Sequence, residues 1–191
     1  PEVVAQAIKV LHAIGKKYNH QWKIKEALIG ACAIDATGDP FPDVSLLACQ
    51  EADAILLGAI GDPKYDNDPS AKVRPEQGLL RMRKSLGLYA NIRPVKIYEH
   101  LIHLSVFKPE ALKDADFVIY RELTGGIYFG EKVKAETFSS DLCLYHRFEV
   151  ERITHLAFQQ AMQRRKKLTL VDKANVLETS RLWRSVVAEI N

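Results

Sequence analysis

The chain has 191 residues, and 27 lysine and arginine residues against 24 aspartate and glutamate residues give a formal net charge of +3. This balance argues against both an acidic disordered tail and a basic nucleic-acid-binding arm. With 47% hydrophobic and 27% charged residues, the composition is typical of a globular protein whose core needs no disulfides or structural metals. No stretch approaches the ~20 apolar residues that span a bilayer, and the N-terminus lacks a signal-peptide layout. We therefore expect a cytoplasmic protein with neither nucleic-acid nor membrane partners.

The first half of the sequence predicts helices that alternate with short strands. Residues 3–14 place apolar side chains at helical spacing, and Gly15 is expected to end this helix. Residues 22–28 alternate as a half-exposed strand, and a capped helix begins at Asp43. The apolar run 54–61 is typical of a strand buried on both faces.

The same order of helix and then strand returns twice in the second half, at residues 109–121 and 147–173. Three such passages predict an α/β fold with a layered sheet and flanking helices. Residues 131–146 have no helical periodicity and predict an extended arm with β character, which we expect to pack on a partner.

The sequence also predicts two lobes and two cut ends. The residue before Pro94 is restricted to extended backbone, so we place a boundary within residues 88–94 and assign the lobes as residues 1–88 and 89–191. Pro1 favours a helix start, and an amphipathic helix runs to Asn191 without a stop signal. We expect the fold to be truncated at both ends.

A predicted helix that starts at Pro75 carries one chemically mixed face. That face consists of the residues at positions i, i+3, i+4 and i+7, which are Glu76, Leu79, Leu80 and Arg83. It suits a small ligand with a branched apolar arm and a carboxylate, which arginine binds with two parallel hydrogen bonds. A core-facing leucine pair flanked by exposed charges remains the alternative. Gly78 inside the helix indicates the close approach of another group.

Four further candidates lie in extended segments or in the loops that follow them. Arg93 precedes Pro94, and Arg121 closes a predicted strand, at the end where open α/β sheets bind ligands. A glycine turn then returns Tyr128 towards that edge, and Lys173 follows a strand and could act as a base. Taken singly, each also fits an ordinary surface or half-buried residue, because spacing does not show convergence.

The remaining signals are weaker. His100 and His103 lack a third metal ligand nearby and predict a surface pair, and the basic run 164–167 predicts a helix C-terminus. The cysteines are odd in number and far apart, so we expect reduced thiols, buried or half-buried, rather than a catalytic one: Cys32, Cys49 and Cys143. Neither of the standard glycine-rich nucleotide loops occurs.

Taken together, these segments resemble the decarboxylating β-hydroxyacid dehydrogenases, the family of isocitrate and isopropylmalate dehydrogenases. The segments that carry the resemblance follow one another in the family's order: GAIGDPKYD, RPEQGLLRMRKSLGLYANIRP, RELTGGIYFGE and VDKANVLETSRLWR. The resemblance covers almost all 191 residues and implies that family's two-lobed fold. The lobe of residues 1–88 would be part of a nucleotide-binding lobe, and that of residues 89–191 an incomplete substrate and dimerisation lobe.

The resemblance implies NAD-dependent oxidation of 3-isopropylmalate followed by loss of its β-carboxylate, as in leucine biosynthesis. It implies carboxylate binding by Arg83, Arg93 and Arg121, and contact with the isopropyl branch and the nicotinamide side by Glu76, Leu79 and Leu80. It also implies that Tyr128 is the acid, that Lys173 is a base reaching in from the other subunit of a homodimer, and that Asn175 lies beside the nicotinamide ribose.

The resemblance also implies Mg²⁺ or Mn²⁺, but the family's metal-binding aspartates correspond to positions beyond residue 191. We therefore expect no metal ligands in this chain and no turnover by the chain alone. The arm of residues 131–146 is shorter and less polar than the family's usual Gly- and Asp-rich stretch. Two alternatives stay open: a tartrate- or homoisocitrate-type dehydrogenase, and a non-catalytic binding or dimerisation module.

Overall fold

The computed structural model describes residues 2–67 and 71–191. Their contacts divide the chain into two compact units, a first unit that ends at Leu86 and a second unit that begins at Gly87. The first unit carries helices α1 to α5, which span Glu2–Tyr18, Ala31–Thr37, Asp43–Gln50, Pro63–Asp66 and Pro75–Ser85. None of the described helices is long and apolar enough to cross a membrane.

Helix α1 is longer than predicted, because it continues past Gly15 to Tyr18. Gly15 is buried, and a Cβ there would lie 2.7 Å from the indole nitrogen of Trp22. The indole N–H donates to the Leu11 carbonyl oxygen at 2.9 Å, so the chain folds back along the helix at this glycine. The helix stops where Asn19 adopts a positive φ of 58°.

Helix α5 begins at Pro75, as predicted, and its packing explains Gly78. A Cβ at Gly78 would lie 2.3 Å from the carbonyl oxygen of Pro40, so the close approach is made by the protein's own backbone. The buried stripe of the helix consists of Pro75, Gly78 and Met82. With Phe41 and the alanines of α2 and α3, Met82 belongs to the core of the first unit.

Neither of the strands predicted in the first unit forms. Residues 22–28 and 54–61 have no strand pairing, and no other strand occurs among the described residues up to Leu86. A strand buried on both faces needs hydrogen-bonded neighbours and covering side chains, and neither surrounds residues 54–59, which are exposed. The end of this run is fixed by a backbone hydrogen bond, in which the Ala31 N–H donates to the Ile60 carbonyl oxygen at 2.8 Å.

The second unit is built on an antiparallel pair of strands. Strand β1 (Ala90–Lys96) pairs with β2 (Asp116–Glu122) in a register that sets Arg93 opposite Ile119 and Asn91 opposite Arg121. A 3-10 helix over Glu99–Leu104 and the short helix α6 (Pro109–Leu112) connect the two strands. Burial alternates along β2, so one face of this sheet is covered and the other is open.

The predicted arm is confirmed as extended β structure. Strands β3 (Lys132–Lys134) and β4 (Ser139–Asp141) form a short antiparallel hairpin within residues 131–146. Its apolar side chains Phe138, Leu142 and Leu144 are exposed.

Two helices complete the second unit, and they change two predictions. Helix α7 spans Arg147–Met162 and α8 spans Glu178–Ile190. Helix α7 packs against both β2 and α8, and Val150, Ile153 and Val186 on these helices are buried. Because α7 ends at Met162, the basic run 164–167 follows the helix instead of forming its last turn. Residues 168–172 also form no strand, because no described segment pairs with them.

Candidate functional site

Arg93 and Arg121 share the open face of the β1–β2 sheet. Residues directly opposite in an antiparallel pair point to the same side, and side chains repeat every second residue. Since Asn91 lies opposite Arg121, Arg93 is the diagonal neighbour of Arg121 on that face. Such diagonal neighbours lie about 7–8 Å apart, which long side chains span. The sheet therefore places two guanidinium groups within reach of each other on one face.

Neither of these two arginines is neutralised within residues 2–67 and 71–191. No ion pair joins Arg93 or Arg121 to a carboxylate in this part of the chain, whereas most other arginines have one, among them Arg81, Arg147, Arg152, Arg164, Arg181 and Arg184. Both side chains are exposed. Two adjacent unpaired cations attract an anion, and a dicarboxylate matches both the charge and the geometry of their N–H groups.

Tyr128 touches Arg121 directly. The guanidinium Nη2 of Arg121 donates to the Tyr128 hydroxyl oxygen, and the Arg121 Cζ atom lies 5.1 Å from the centre of the tyrosine ring. A guanidinium can only donate, so the phenol oxygen is the acceptor in this contact. The phenol hydrogen therefore points away from Arg121 and is available to another acceptor.

A turn built around Glu122 connects Arg121 to Tyr128. The Glu122 carboxylate is buried and accepts from the backbone N–H groups of Thr124 and Gly125 at 2.9 and 2.7 Å. Gly126 has a positive φ of 74°, and its N–H donates to the Leu144 carbonyl oxygen at 2.7 Å. Tyr128 then ends the 3-10 turn Gly126–Tyr128.

Sequence reasoning missed Glu122 and its partner Arg152. Arg152 Nη2 donates to the Glu122 carboxylate, and only 1% of the Glu122 side chain is exposed. A usable signal existed, because alternation along β2 places the side chain after Arg121 on the covered face. Residue spacing offers no means of finding the arginine that lies 30 residues later.

Lys173 and Asn175 lie in the loop before α8. The backbone N–H of Lys173 donates to Ser180 Oγ at 3.0 Å, and the Asp172 carboxylate accepts from the Ala174 N–H at 2.9 Å. Hydrogen bonds from Arg184 and the Ala174 N–H lower the pKa of Asp172. The side chains of Lys173 and Asn175 are exposed, so both can reach a ligand or another subunit.

The structure brings together only part of the predicted set. Arg93, Arg121 and Tyr128 share one region of the second unit, and Arg121 and Tyr128 line a groove of about 940 Å³ there. Their partners predicted on α5 belong to the first unit: Glu76, Leu79, Leu80 and Arg83. Because the core-facing stripe of α5 is Pro75, Gly78 and Met82, Leu79 and Leu80 are left half-buried beside it. The convergence of α5 with the sheet stays a prediction.

The remaining sequence signals are the histidine pair, the basic run and the cysteines. His100 and His103 are both exposed on the 3-10 helix, and Arg164 Nη2 donates to the Asp116 carboxylate at 2.7 Å. All three cysteines are free thiols, but the predicted burial is wrong for Cys32 and Cys143, which are exposed. Burial raises the pKa of the half-buried Cys49 thiol, which favours its unreactive protonated form.

The donor set for a metal ion does not assemble within the described ranges. Across residues 2–67 and 71–191, no three His, Cys, Asp or Glu side chains lie close enough to hold one. The carboxylates nearest the candidate site are already used internally, such as Asp172 by Arg184 and Glu122 by Arg152. These residues do not fit a divalent cation.

A mixed α/β fold with a paired-arginine site and an adjacent tyrosine defines a candidate enzyme of small carboxylic acids. The sequence profile of the isocitrate/isopropylmalate dehydrogenase family matches residues 1–191, and the chain belongs to that family. This confirms the resemblance seen in the sequence.

Curated relatives and solved structures agree with the family assignment. The chain is 53% identical to the 3-isopropylmalate dehydrogenase of Bacteroides fragilis over 190 residues, and 53% identical to that of Listeria innocua over 191 residues. In each case the match covers 100% of this chain and 54% of the relative, so the chain spans about half the length of these relatives.

Among solved structures, the isocitrate dehydrogenase from Methylococcus capsulatus superposes with a TM-score of 0.82 at 29% identity, covering 100% of this chain and 53% of that one. A β-decarboxylating dehydrogenase from Thermococcus kodakarensis has a TM-score of 0.66 at 29% identity, covering 100% and 50%. The predicted α/β class with this family's architecture is confirmed, and the chain corresponds to part of that fold.

Proposed function

We propose that this chain supplies the substrate-binding half of an NAD-dependent dehydrogenase that oxidises and decarboxylates 3-isopropylmalate. The observation that carries the proposal is the pair Arg93 and Arg121 on one sheet face, without a carboxylate partner in the described ranges and with Tyr128 against one of them. The choice of 3-isopropylmalate as the substrate rests on relatives that are 53% identical to this chain and are named 3-isopropylmalate dehydrogenase.

In this proposal the three arginines bind the two carboxylates of the substrate. Arg93 and Arg121 act from the sheet, and Arg83 completes the set from α5. Their positive charge also stabilises the enolate that develops as the β-carboxylate leaves. Leu79 and Leu80 accept the isopropyl branch, because they are half-buried and leave apolar surface beside Arg83.

Tyr128 and Lys173 move the protons. The phenol hydrogen of Tyr128 points away from Arg121, so Tyr128 can protonate the enol carbon, and the neighbouring guanidinium stabilises the negative charge left behind. Lys173 takes the hydroxyl proton of a substrate bound by the other subunit of a homodimer. The exposure of Lys173 on the loop before α8 supports this role.

The cofactors follow from the family. Asn175 and Glu76 would meet the nicotinamide side of NAD with exposed polar groups, and the cofactor would supply the hydride acceptor for the hydroxyl-bearing carbon of the substrate. No ligand set for the family's divalent cation occurs among the described residues. The roles proposed for this chain are therefore roles of its own side chains. We also propose that the first unit is part of a nucleotide-binding lobe and the second part of a substrate and dimerisation lobe.

The test measures NADH formation at 340 nm with NAD, Mn²⁺ and each of four acids: 3-isopropylmalate, isocitrate, homoisocitrate and tartrate. We expect the protein encoded by the complete gene to prefer 3-isopropylmalate. A preference for tartrate or homoisocitrate would favour the related dehydrogenases, and no turnover of any acid would contradict the proposal.

A non-catalytic binding module is the second candidate. It is favoured by the lack of a ligand set for the family's cation among the described residues. The same assay on the 191 residues alone, combined with calorimetric titration of 3-isopropylmalate, separates the two. We expect this chain to bind the acid without turning it over, and NADH formation by it alone would overturn this part of the proposal.

A further inference from the structure

The buried side chain of Glu122 is saturated with hydrogen bonds. Its Oε2 atom accepts from the Thr124 and Gly125 N–H groups, and its Oε1 atom accepts from the Thr124 hydroxyl at 3.0 Å and from Arg152 Nη2. A carboxylate has about four acceptor sites, so each is used. Hydrogen bonds to an ionised group are shorter and stronger than those between neutral groups, and removing one partner leaves the others unsatisfied.

Arg152 is itself held in place on α7. Its guanidinium carbon lies 4.6 Å from the centre of the Tyr89 ring and 5.4 Å from that of Phe148, and Nη2 also donates to the Thr124 hydroxyl. The carbonyl oxygen of Tyr89, just before β1, accepts from the Leu123 N–H at 2.8 Å. The Glu122–Arg152 pair therefore ties the end of β2 and the following turn to α7 and to the start of β1.

The Glu122–Arg152 pair lies on the face of the sheet opposite to the contact between Arg121 and Tyr128. Arg121 and Glu122 are consecutive strand residues, so they point to opposite faces of the sheet. The turn fixed by Glu122 is the covalent path from Arg121 to Tyr128.

The backbone of the same turn, residues 123–126, is also tightly packed against other side chains. A Cβ added at Gly125 would lie 2.7 Å from the Glu149 carboxylate, and one added at Gly126 would lie 2.4 Å from the Tyr145 hydroxyl oxygen. Burial raises the pKa of Tyr145, which keeps its ring neutral against the turn. The backbone here has little freedom to relax if the Glu122 hydrogen bonds are lost.

We propose that Glu122 and Arg152 are positioning residues, whose buried ion pair holds Arg121 and Tyr128 in the contact that binds the substrate carboxylate and aims the phenol. The inference rests on the proposed function for the identity of the acid, 3-isopropylmalate. Neither residue touches the ligand; both act through the turn of residues 123–126.

Glu122→Gln is the direct test, because a carboxamide keeps the size of the side chain but has only one acceptor oxygen for four donors. Glu151→Gln is the matched control, since Glu151 lies on the same helix as Arg152 and pairs with Arg147 at the surface. Val186→Ala is a second control, because it removes buried methyl groups from α8 and lowers stability without touching the turn.

Two readouts are needed. The first is the proximity of Arg121 Hε to the Tyr128 ring protons, measured by nuclear Overhauser effects in isotope-labelled protein. The second is the affinity for 3-isopropylmalate by calorimetry. We expect Glu122→Gln to lose the proximity signal and to weaken binding about tenfold or more, the scale of a lost hydrogen bond to a charged group, while both controls retain both properties.

Each outcome decides between the alternatives. If Glu122→Gln keeps the signal and the affinity, or if Val186→Ala loses them as well, the positioning role is wrong. If Glu122→Gln does not fold, Thr124→Val decides instead, because it removes one hydroxyl link to the pair, and an unchanged signal there overturns the inference. If the unaltered chain binds no 3-isopropylmalate, the proposed function fails, while the proximity signal still tests the positioning role separately.

Discussion

At Gly78, helix α5 has no room for a side chain, because an added Cβ would lie 2.3 Å from the Pro40 carbonyl oxygen. We expect Gly78→Ala to lower the free energy of unfolding by about 1–3 kcal/mol, the typical penalty of overpacking, although alanine has the better helix propensity. Chemical denaturation measures this change. Gly61→Ala is the control, since a Cβ there meets nothing within 4 Å, and equal stability of the two variants would contradict the packing of α5 on Pro40.

The Asp35 carboxylate gives stability a specific dependence on pH. Hydrogen bonds from the Lys64 ammonium and then from the Tyr65 hydroxyl lower the pKa of Asp35. A carboxyl with a lowered folded-state pKa adds stability that is present above its unfolded value of about 4 and is lost as the pH falls through the folded value.

We therefore expect the stability difference between the unaltered chain and Asp35→Asn to shrink as the pH falls from about 5 to about 2. Urea denaturation at a series of pH values measures it. Asp53→Asn is the control, because Asp53 is exposed. A difference for Asp35→Asn that does not change with pH would refute the assigned role of the Lys64 contact.

Single residues also show what the sequence could predict about the site. Arg93, Arg121 and Tyr128 were proposed as candidates from an extended segment before a proline, the end of a predicted strand and a glycine turn, because local backbone rules act over a few residues. Glu122 and Arg152 were not found, because their pairing depends on where α7 lies against β2. Spacing likewise could not show that the space beside Gly78 is filled by Pro40.

At the scale of elements, the C-terminal part of α1 depends on a contact made after the helix has ended. The Trp22 indole N–H donates to the Leu11 carbonyl oxygen at 2.9 Å, while the ring covers Gly15. Trp22→Phe keeps an aromatic ring but removes the donor. We expect hydrogen exchange of the amides of residues 15–18 to become about five- to tenfold faster, the effect of losing one hydrogen bond of about 1 kcal/mol.

Trp183→Phe provides the comparison for that experiment. Trp183 contacts the Tyr145 ring edge-on in the second unit, so its loss should leave residues 15–18 unchanged. Exchange by mass spectrometry resolves the two regions. Equal exchange rates in Trp22→Phe and the unaltered chain would show that the indole hydrogen bond does not hold the end of α1.

Whether an element could be predicted from the sequence depends on how far along the chain its stabilising contacts lie. Helices α5 and α7 were predicted, because helical periodicity and a proline at the first helical turn are local signals. The arm of residues 131–146 was predicted only as extended structure, and its pairing into the β3–β4 hairpin was not. Residues 54–61 and 168–172 have strand-like sequences but form no strand, because a strand exists only when another segment pairs with it.

At the scale of the whole molecule, the chain exposes much apolar surface. Ile55, Leu56 and Leu57 are 41, 51 and 40% exposed in a run that was predicted to be a buried strand, and Val171 is 91% exposed in a second run that was predicted to be a strand. Apolar surface of this kind marks places where further protein packs. It agrees with a chain that spans about half the length of its relatives.

The central claim of the proposed function is that Arg93 and Arg121 bind one dicarboxylate together. Calorimetric titration of 3-isopropylmalate into the unaltered chain, Arg93→Gln and Arg121→Gln tests it most directly, with Arg147→Gln as the control because Arg147 is paired with Glu151 and Glu189. We predict saturable binding by the unaltered chain and the control, and affinities at least about tenfold weaker in each of the other two variants. Equal affinity in all four proteins, or no binding by the unaltered chain, would contradict the claim.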